Sequence, residues 1–368
     1  MAAHEMKDPL SGIIIRSHPA PEVPEVATDG TPESAGLPAS SVLSSHVSEP
    51  EIFYDRMRKA EMILDKYESD IVLDDTPRLL YHTIHNLPQR GSIQMINEIL
   101  WLGGDNDKLR QLRNFFVDAV LKPIGATAGQ TVVPSHPTGR ALEIDQLMSE
   151  KERLTRNDQE ALKQKCLRRD GYHCLITQKF DAASCTDGLY QRKPGELGGF
   201  TQCCHILPFA LRKFNEENSM EVEAKATIWW ALYRYFPALR GKIGSSTINQ
   251  EGNALTMVTV AHEYFGLFAF SIQPTDVKNV YQTHTYESYY EEELPKFLTF
   301  ISHDQSVPAP DGDFLNTHYV IGKILHVIGL INKFPRIRGS PDDNIINLRQ
   351  DGSTDLGKIL SRRLLMDW

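Results

Sequence analysis

Three short pieces of the chain carry side chains able to do acid–base or metal chemistry. The first is Arg168-Arg169-Asp170-Gly171-Tyr172-His173-Cys174, the second Cys203-Cys204-His205-Ile206-Leu207-Pro208-Phe209. The third is Asn253-Ala254-Leu255-Thr256, followed by His262-Glu263-Tyr264-Phe265. An imidazole titrates near neutral pH and can take or give a proton there, and histidine and thiolate are both metal ligands. Taken singly, each piece also has a purely structural reading. His205 precedes an Ile-Leu-Pro run and fits a strand end, Asn253 follows Gly252 and fits a turn or cap, and His262 fits the half-buried face of a helix.

The order and spacing of the three carry more. Arg169-Asp170-Gly171-Tyr172-His173-Cys174, then Cys204-His205-Ile206-Leu207-Pro208-Phe209, then Asn253 with His262 nine residues on, resemble the HNH endonuclease family. The branch resembled is the one common in fungal proteins. Trp229-Trp230-Ala231-Leu232 with Tyr235-Phe236-Pro237 is similar to the helix this branch places before the Asn. The Leu315–Gly329 stretch, with His318 and His326, is similar to the helix that comes after the domain in fungal members. The resemblance covers about 165–335, and its specific part is 168–272.

It implies a metal-dependent nuclease acting on DNA or RNA; with no apolar run of signal-peptide length near Ile13-Ile14-Ile15, the expected location is intracellular. The implied fold is α+β and mostly helical, with a ββα-metal (HNH-like) module between helical N- and C-terminal regions. By the same resemblance His205 is the general base, Asn253 braces the loop and orients that histidine, and His262 ligates Mg²⁺, Mn²⁺ or Zn²⁺. The ion would offset charge on the phosphate and the departing 3′ oxygen.

The chain departs from the family in two places. Cys204 stands where many members have an Asp or His metal ligand, and a thiolate there favours a softer ion such as Zn²⁺. The branch continues its last motif with Asp, and Gly266 replaces it. Residues 262 and 266 share a helix face, so the loss removes the ligand best placed beside His262; Glu263 lies about 100° round the helix. Two alternatives therefore stay open: a binding or regulatory protein on the same fold, and a scaffold reused for small-molecule chemistry.

Five cysteines (166, 174, 185, 203 and 204), an odd number in a long chain, do not form a secreted disulfide framework. No complete Cys-x-x-Cys pair exists; a zinc site from Cys174, Cys185, Cys203 and Cys204 would need two adjacent ligands.

The elements that must position these groups can be read from composition and periodicity. The 368 residues carry a net charge of −9, which argues against a basic nucleic-acid binder overall. Residues 151–250 nevertheless hold 16 Lys and Arg against 11 Asp and Glu, a local +5. Arg168, Arg169, Arg212, Lys213, Arg240 and Lys242 are candidates for phosphate contact, and Arg192, Lys193 and Arg234 extend the set. No apolar run reaches the roughly 18 residues of a membrane span, so no membrane partner is expected.

Residues 1–50 hold seven of the 21 prolines and read as a disordered tail. Met57, Ala60, Leu64 and Tyr67 recur with helical spacing, as do Leu109, Leu112, Phe116 and Ala119, and Gly103-Gly104-Asp105 breaks the helical runs. The reading is a helical region and linker over 51–150, the nuclease-like domain over 151–275 and a helical C-terminal region over 276–368.

Overall fold

The computed structural model describes residues 49–69, 71–125, 133–139, 141–148, 156–212, 217–286 and 294–332. The tail (to residue 48), Lys213, the side chain of Arg212, the acidic tyrosine-rich stretch at 287–293 and everything after 332 lie outside the described residues. All described residues belong to one compact unit.

Four helices open it: α1 (Glu49–Asp65), α2 (Thr76–Asn86), α3 (Gln89–Leu102) and α4 (Asn106–Phe116). Gly103, at φ 63°, ends α3 in the left-handed conformation, and the Asp105 carboxylate caps α4 by accepting from Lys108 N. A wide turn at Val117–Leu121 leads into α5 (Lys122–Gly125). Then come α6 (Leu142–Met148) and α7 (Arg156–Arg169).

The middle of the chain mixes short strands with helices. Strand β1 (Phe180–Asp181) pairs in parallel with β2 (Gly198–Gly199), and α8 (Ala182–Thr186) lies between them. Strand β3 (Thr201–His205) is followed by the long helix α9 (Ser219–Tyr235), capped by Asn218. Strand β4 (Ala254–Val258) runs antiparallel to β3, and α10 (Thr259–Gly266) leaves directly from its end.

A three-stranded antiparallel sheet, β5 (Phe270–Pro274), β6 (Val280–Thr285) and β7 (Phe297–Thr299), precedes α11 (Gly312–Val327). The fold is α+β and mostly helical, as expected, but the region after 275 does not begin with helix. Val280-Tyr-Gln-Thr-His-Thr is rich in β-branched and aromatic residues, and it pairs along its length with β5.

One continuous core joins the helical region to the strands. Gly91 of α3 is central: a β-carbon there would lie 1.9 Å from the Tyr235 carbonyl oxygen, so only a glycine lets α3 come this close to the α9 backbone. Beside this contact the buried Glu98 carboxylate takes hydrogen bonds from Arg234 and, at 2.8 Å, from Tyr235. Arg234, a candidate for phosphate contact, is thereby paired with a buried carboxylate.

Candidate active site

The β3–β4 register sorts the key side chains. Gln202 pairs with Met257 and Cys204 with Leu255, while Thr201, Cys203 and His205 pair with Val258, Thr256 and Ala254. Alternation sends the first four side chains to one face and the other six to the opposite face. Helix α7 covers the second face, where Leu162 and Cys166 pack with Ala254 and Cys203.

Asn253 has no exposed surface. Its Oδ1 accepts from Leu207 N at 2.8 Å, and its Nδ2 donates to Leu207 O at 3.0 Å and Ile248 O at 2.9 Å. Its own carbonyl accepts from Ile206 N at 2.9 Å. The amide thus holds the loop that His205 enters to the segment preceding β4.

The imidazole itself is reached by a different asparagine. His205 Nε2 lies 3.0 Å from Asn249 Oδ1, and Asn249 Nδ2 donates to the Asp158 carbonyl of α7 at 3.3 Å. The Asp158 carbonyl needs a donor, so it fixes which way the amide faces. Asn249 therefore presents oxygen to His205, which puts the proton on Nε2 and leaves the lone pair on Nδ1. Desolvation lowers the His205 pKa below its ordinary value, and the bond to Asn249 acts in the opposite direction. Phe209 lies 5.3 Å away, ring to ring. Asn249 escaped sequence reading because a polar residue in a Thr-Ile-Asn-Gln-Glu-Gly loop is indistinguishable from turn chemistry.

His262 stands on α10 with Nδ1 2.6 Å from Gln202 Oε1. It therefore addresses the Gln202 and Cys204 face, whereas His205 addresses α7. Gln202 is a second residue that sequence reading passed over.

The donors for a metal ion do not form a set. Cys204 is buried in the core, and desolvation pushes its thiol pKa far up, holding it protonated. Gly266 contributes no side chain, and nothing lies within 4 Å of where its β-carbon would be. Among the described residues no group of three His, Cys, Asp or Glu side chains is placed to hold an ion. His262 and Cys204 therefore do not fit a divalent metal as the resemblance implied.

The zinc alternative meets the same difficulty, since Cys203 faces α7 while Cys204 faces the core on the other side. The Cys203 thiol is hydrogen-bonded to Cys166, and that bond together with burial pushes its pKa up.

The expected phosphate contacts also need correction. Arg169 is 1% exposed. Its guanidinium binds both Asp170 oxygens, at 2.6 and 2.9 Å, and the carbonyls of Glu251, Ala254 and Pro308. Asp170 in turn accepts from Thr256 N at 3.1 Å. The Arg-Asp pair is thus a tie between α7, β4 and the 308 loop, and not a surface charge. Arg168 is exposed but paired with Asp304 at 3.5 Å, and Lys242 is paired with Asp311 and Asp313. Arg240 is exposed and stands over the Tyr233 ring, 5.6 Å from its centre. Among the described residues no helix is long and apolar enough to cross a membrane.

One comparison with known proteins bears on this region. A family model described as HNH endonuclease matches residues 174–273, which takes in β3, β4, α10 and both histidines. No curated protein and no solved structure matches the chain. The strand–strand–helix order and the His205, Asn253 and His262 positions lie inside the matched span, so residues 174–273 are similar to the HNH endonuclease family.

Proposed function

We propose that this domain hydrolyses phosphodiester bonds in nucleic acid, with His205 as general base and the β3–β4–α10 unit as the catalytic module. The observation that carries the reading is the Asp158–Asn249–His205 chain of hydrogen bonds. It leaves Nδ1 unprotonated, on a half-buried ring whose pKa is lowered by desolvation. At neutral pH that nitrogen takes a proton from water. The hydroxide so formed attacks phosphorus, the P–O3′ bond breaks and the departing oxygen takes a proton from solvent. Asn253 supports this step by holding the Leu207 loop in place.

The divalent ion implied by the family would meet His262 and no completed donor set, so the proposed step is confined to His205. A second reading, nucleic-acid binding without hydrolysis, is favoured by the buried Cys204 and the glycine at 266. Incubating the full chain with single-stranded and duplex DNA and RNA, with Mg²⁺, Mn²⁺, Zn²⁺ or chelator, separates the two. Cleavage that is lost in His205→Ala supports hydrolysis. Retention of intact nucleic acid with salt-sensitive binding supports the second reading.

A further inference from the structure

We infer that Cys166 and Cys203 form a redox modification site, in which a peroxide joins the two sulfurs in a reversible disulfide that ties α7 to β3. All five cysteines are free thiols. Cys166 of α7 packs with Leu162 and Ala254, and Cys203 of β3 closes against this cluster. The two thiols are hydrogen-bonded to each other. A disulfide needs its sulfurs at about 2.05 Å and its β-carbons at about 3.8 Å, and two thiols already in contact are a short movement from that geometry.

Cys166 has no exposed surface, whereas Cys203 is half-buried, so solvent reaches the pair at Cys203. Cys174 and Cys204, by contrast, are both closed in the core. The hydrogen bond from Cys203 lowers the Cys166 pKa, burial opposes it and the Arg169 charge adds to it, so the pair gives up its first proton from the inner sulfur. Thr256 stands opposite Cys203 in the strand register, on the same face of the hairpin. Its hydroxyl is buried and has no hydrogen-bond partner among the described residues. Directly opposed side chains have β-carbons about 4.5–5.5 Å apart. The hydroxyl is thus placed to donate to an oxygen carried on the Cys203 sulfur.

The chemistry runs in two steps. The Cys203 sulfur attacks one peroxide oxygen, the O–O bond breaks and an S–O bond forms, giving a sulfenic acid. The Cys203 proton passes to the Cys166 thiolate along their hydrogen bond, and the departing hydroxide takes a proton from solvent. The Cys166 sulfur then attacks the Cys203 sulfur: the S–S bond forms, the S–O bond breaks and hydroxide leaves with the Cys166 proton as water. Two electrons pass from the sulfurs to the peroxide, which ends as two waters. A dithiol reductant reverses the bond by exchange and itself becomes a disulfide.

Cys166 lies between the two ties that already hold α7, the Asp158 carbonyl at Asn249 and the Arg169–Asp170 pair. Cys203 lies two residues before His205 on the same face of β3. The disulfide therefore adds a covalent tie beside the candidate base and closes the chain from α7 through β1, α8 and β2 into a loop.

The inference rests on neither the nucleic-acid reading nor the hydrolytic one, because its readouts need no substrate. The full chain is treated with hydrogen peroxide, alkylated in denaturant and mapped by peptide mass spectrometry. A peptide pair joining Cys166 to Cys203 is expected, with the other three of the five cysteines alkylated. The thermal midpoint should rise by about 5 °C and return with dithiothreitol. Cys166→Ala and Cys203→Ala should each abolish the linkage and the rise. Thr256→Val should slow linkage about fivefold, and Thr256→Ser should keep the wild-type rate. Separate sulfinic acids at the two positions, linkage to a different cysteine, or no product at either would overturn the inference. A linked pair with an unchanged midpoint would also overturn it. The wild-type peptide map decides the matter even where an alanine variant fails to fold.

Discussion

Asn249 Oδ1 lies 3.0 Å from His205 Nε2, and the other end of the same amide is held by the Asp158 carbonyl. This relation fixes the tautomer of the candidate base. Asn249→Asp should raise the His205 pKa, because a carboxylate stabilises imidazolium. The acidic limb of the pH–rate profile should then move to higher pH, an effect that loosened packing would not produce. Asn249→Ala should slow cleavage about tenfold or more with an unchanged thermal midpoint.

Asn253 and Arg169 should behave as structural residues. Asn253→Ala leaves Leu207 N and two carbonyls without partners in a site closed to water, at a cost of about 2–4 kcal/mol. Arg169→Ala leaves the Asp170 carboxylate buried without its counter-ion, at about 3–5 kcal/mol. Urea unfolding measures both. Were Arg169 a phosphate contact, the variant would instead keep its stability and lose affinity.

His318 should make the fold acid-sensitive. Its ring is buried between Phe265 at 3.8 Å and Phe268 at 4.2 Å, and desolvation lowers its pKa to about 3. The group is neutral in the fold and charged in the unfolded chain below its ordinary pKa of about 6.5. Its contribution is therefore complete above about pH 6.5 and is lost as pH falls toward 3, at about 1.4 kcal/mol per pH unit. His318→Phe should remove that share of the slope in unfolding measured between pH 7 and 5.

Metal affinity should be weak and recoverable. Chelator should leave the wild-type thermal midpoint unchanged. Gly266→Asp places a carboxylate one turn from His262 in open space, and should raise Zn²⁺ or Mn²⁺ affinity about tenfold by calorimetry. Tight ion binding by the wild type would contradict the donor inventory.

Locality decides which features the chain discloses before folding. The break between α3 and α4 at Gly103-Gly104-Asp105 was legible because it acts within a few residues. The strand position of His205 and the bracing amide of Asn253 were legible because a motif fixes them together. Neutralisation was not legible: Asp304 reaches Arg168, and Asp311 and Asp313 reach Lys242, only after α11 and its preceding loop have folded back. The β5–β7 sheet was missed because Thr, Gln and His on β6 blur the apolar alternation that marks a strand. The family motif could not reveal that Cys204 turns inward, because that depends on which face of β3 the core occupies.

The most direct test of the central claim is single-turnover cleavage of a labelled single-stranded oligonucleotide by wild type and His205→Ala across a pH range of about 5–8. The lowered His205 pKa predicts a wild-type rate that rises with pH through a limb below about 6.5 and is level at neutral pH. His205→Ala should lose at least about a hundredfold with its thermal midpoint retained. A variant that cleaves as fast as the wild type, with the same limb, would contradict the assignment of His205 as the base.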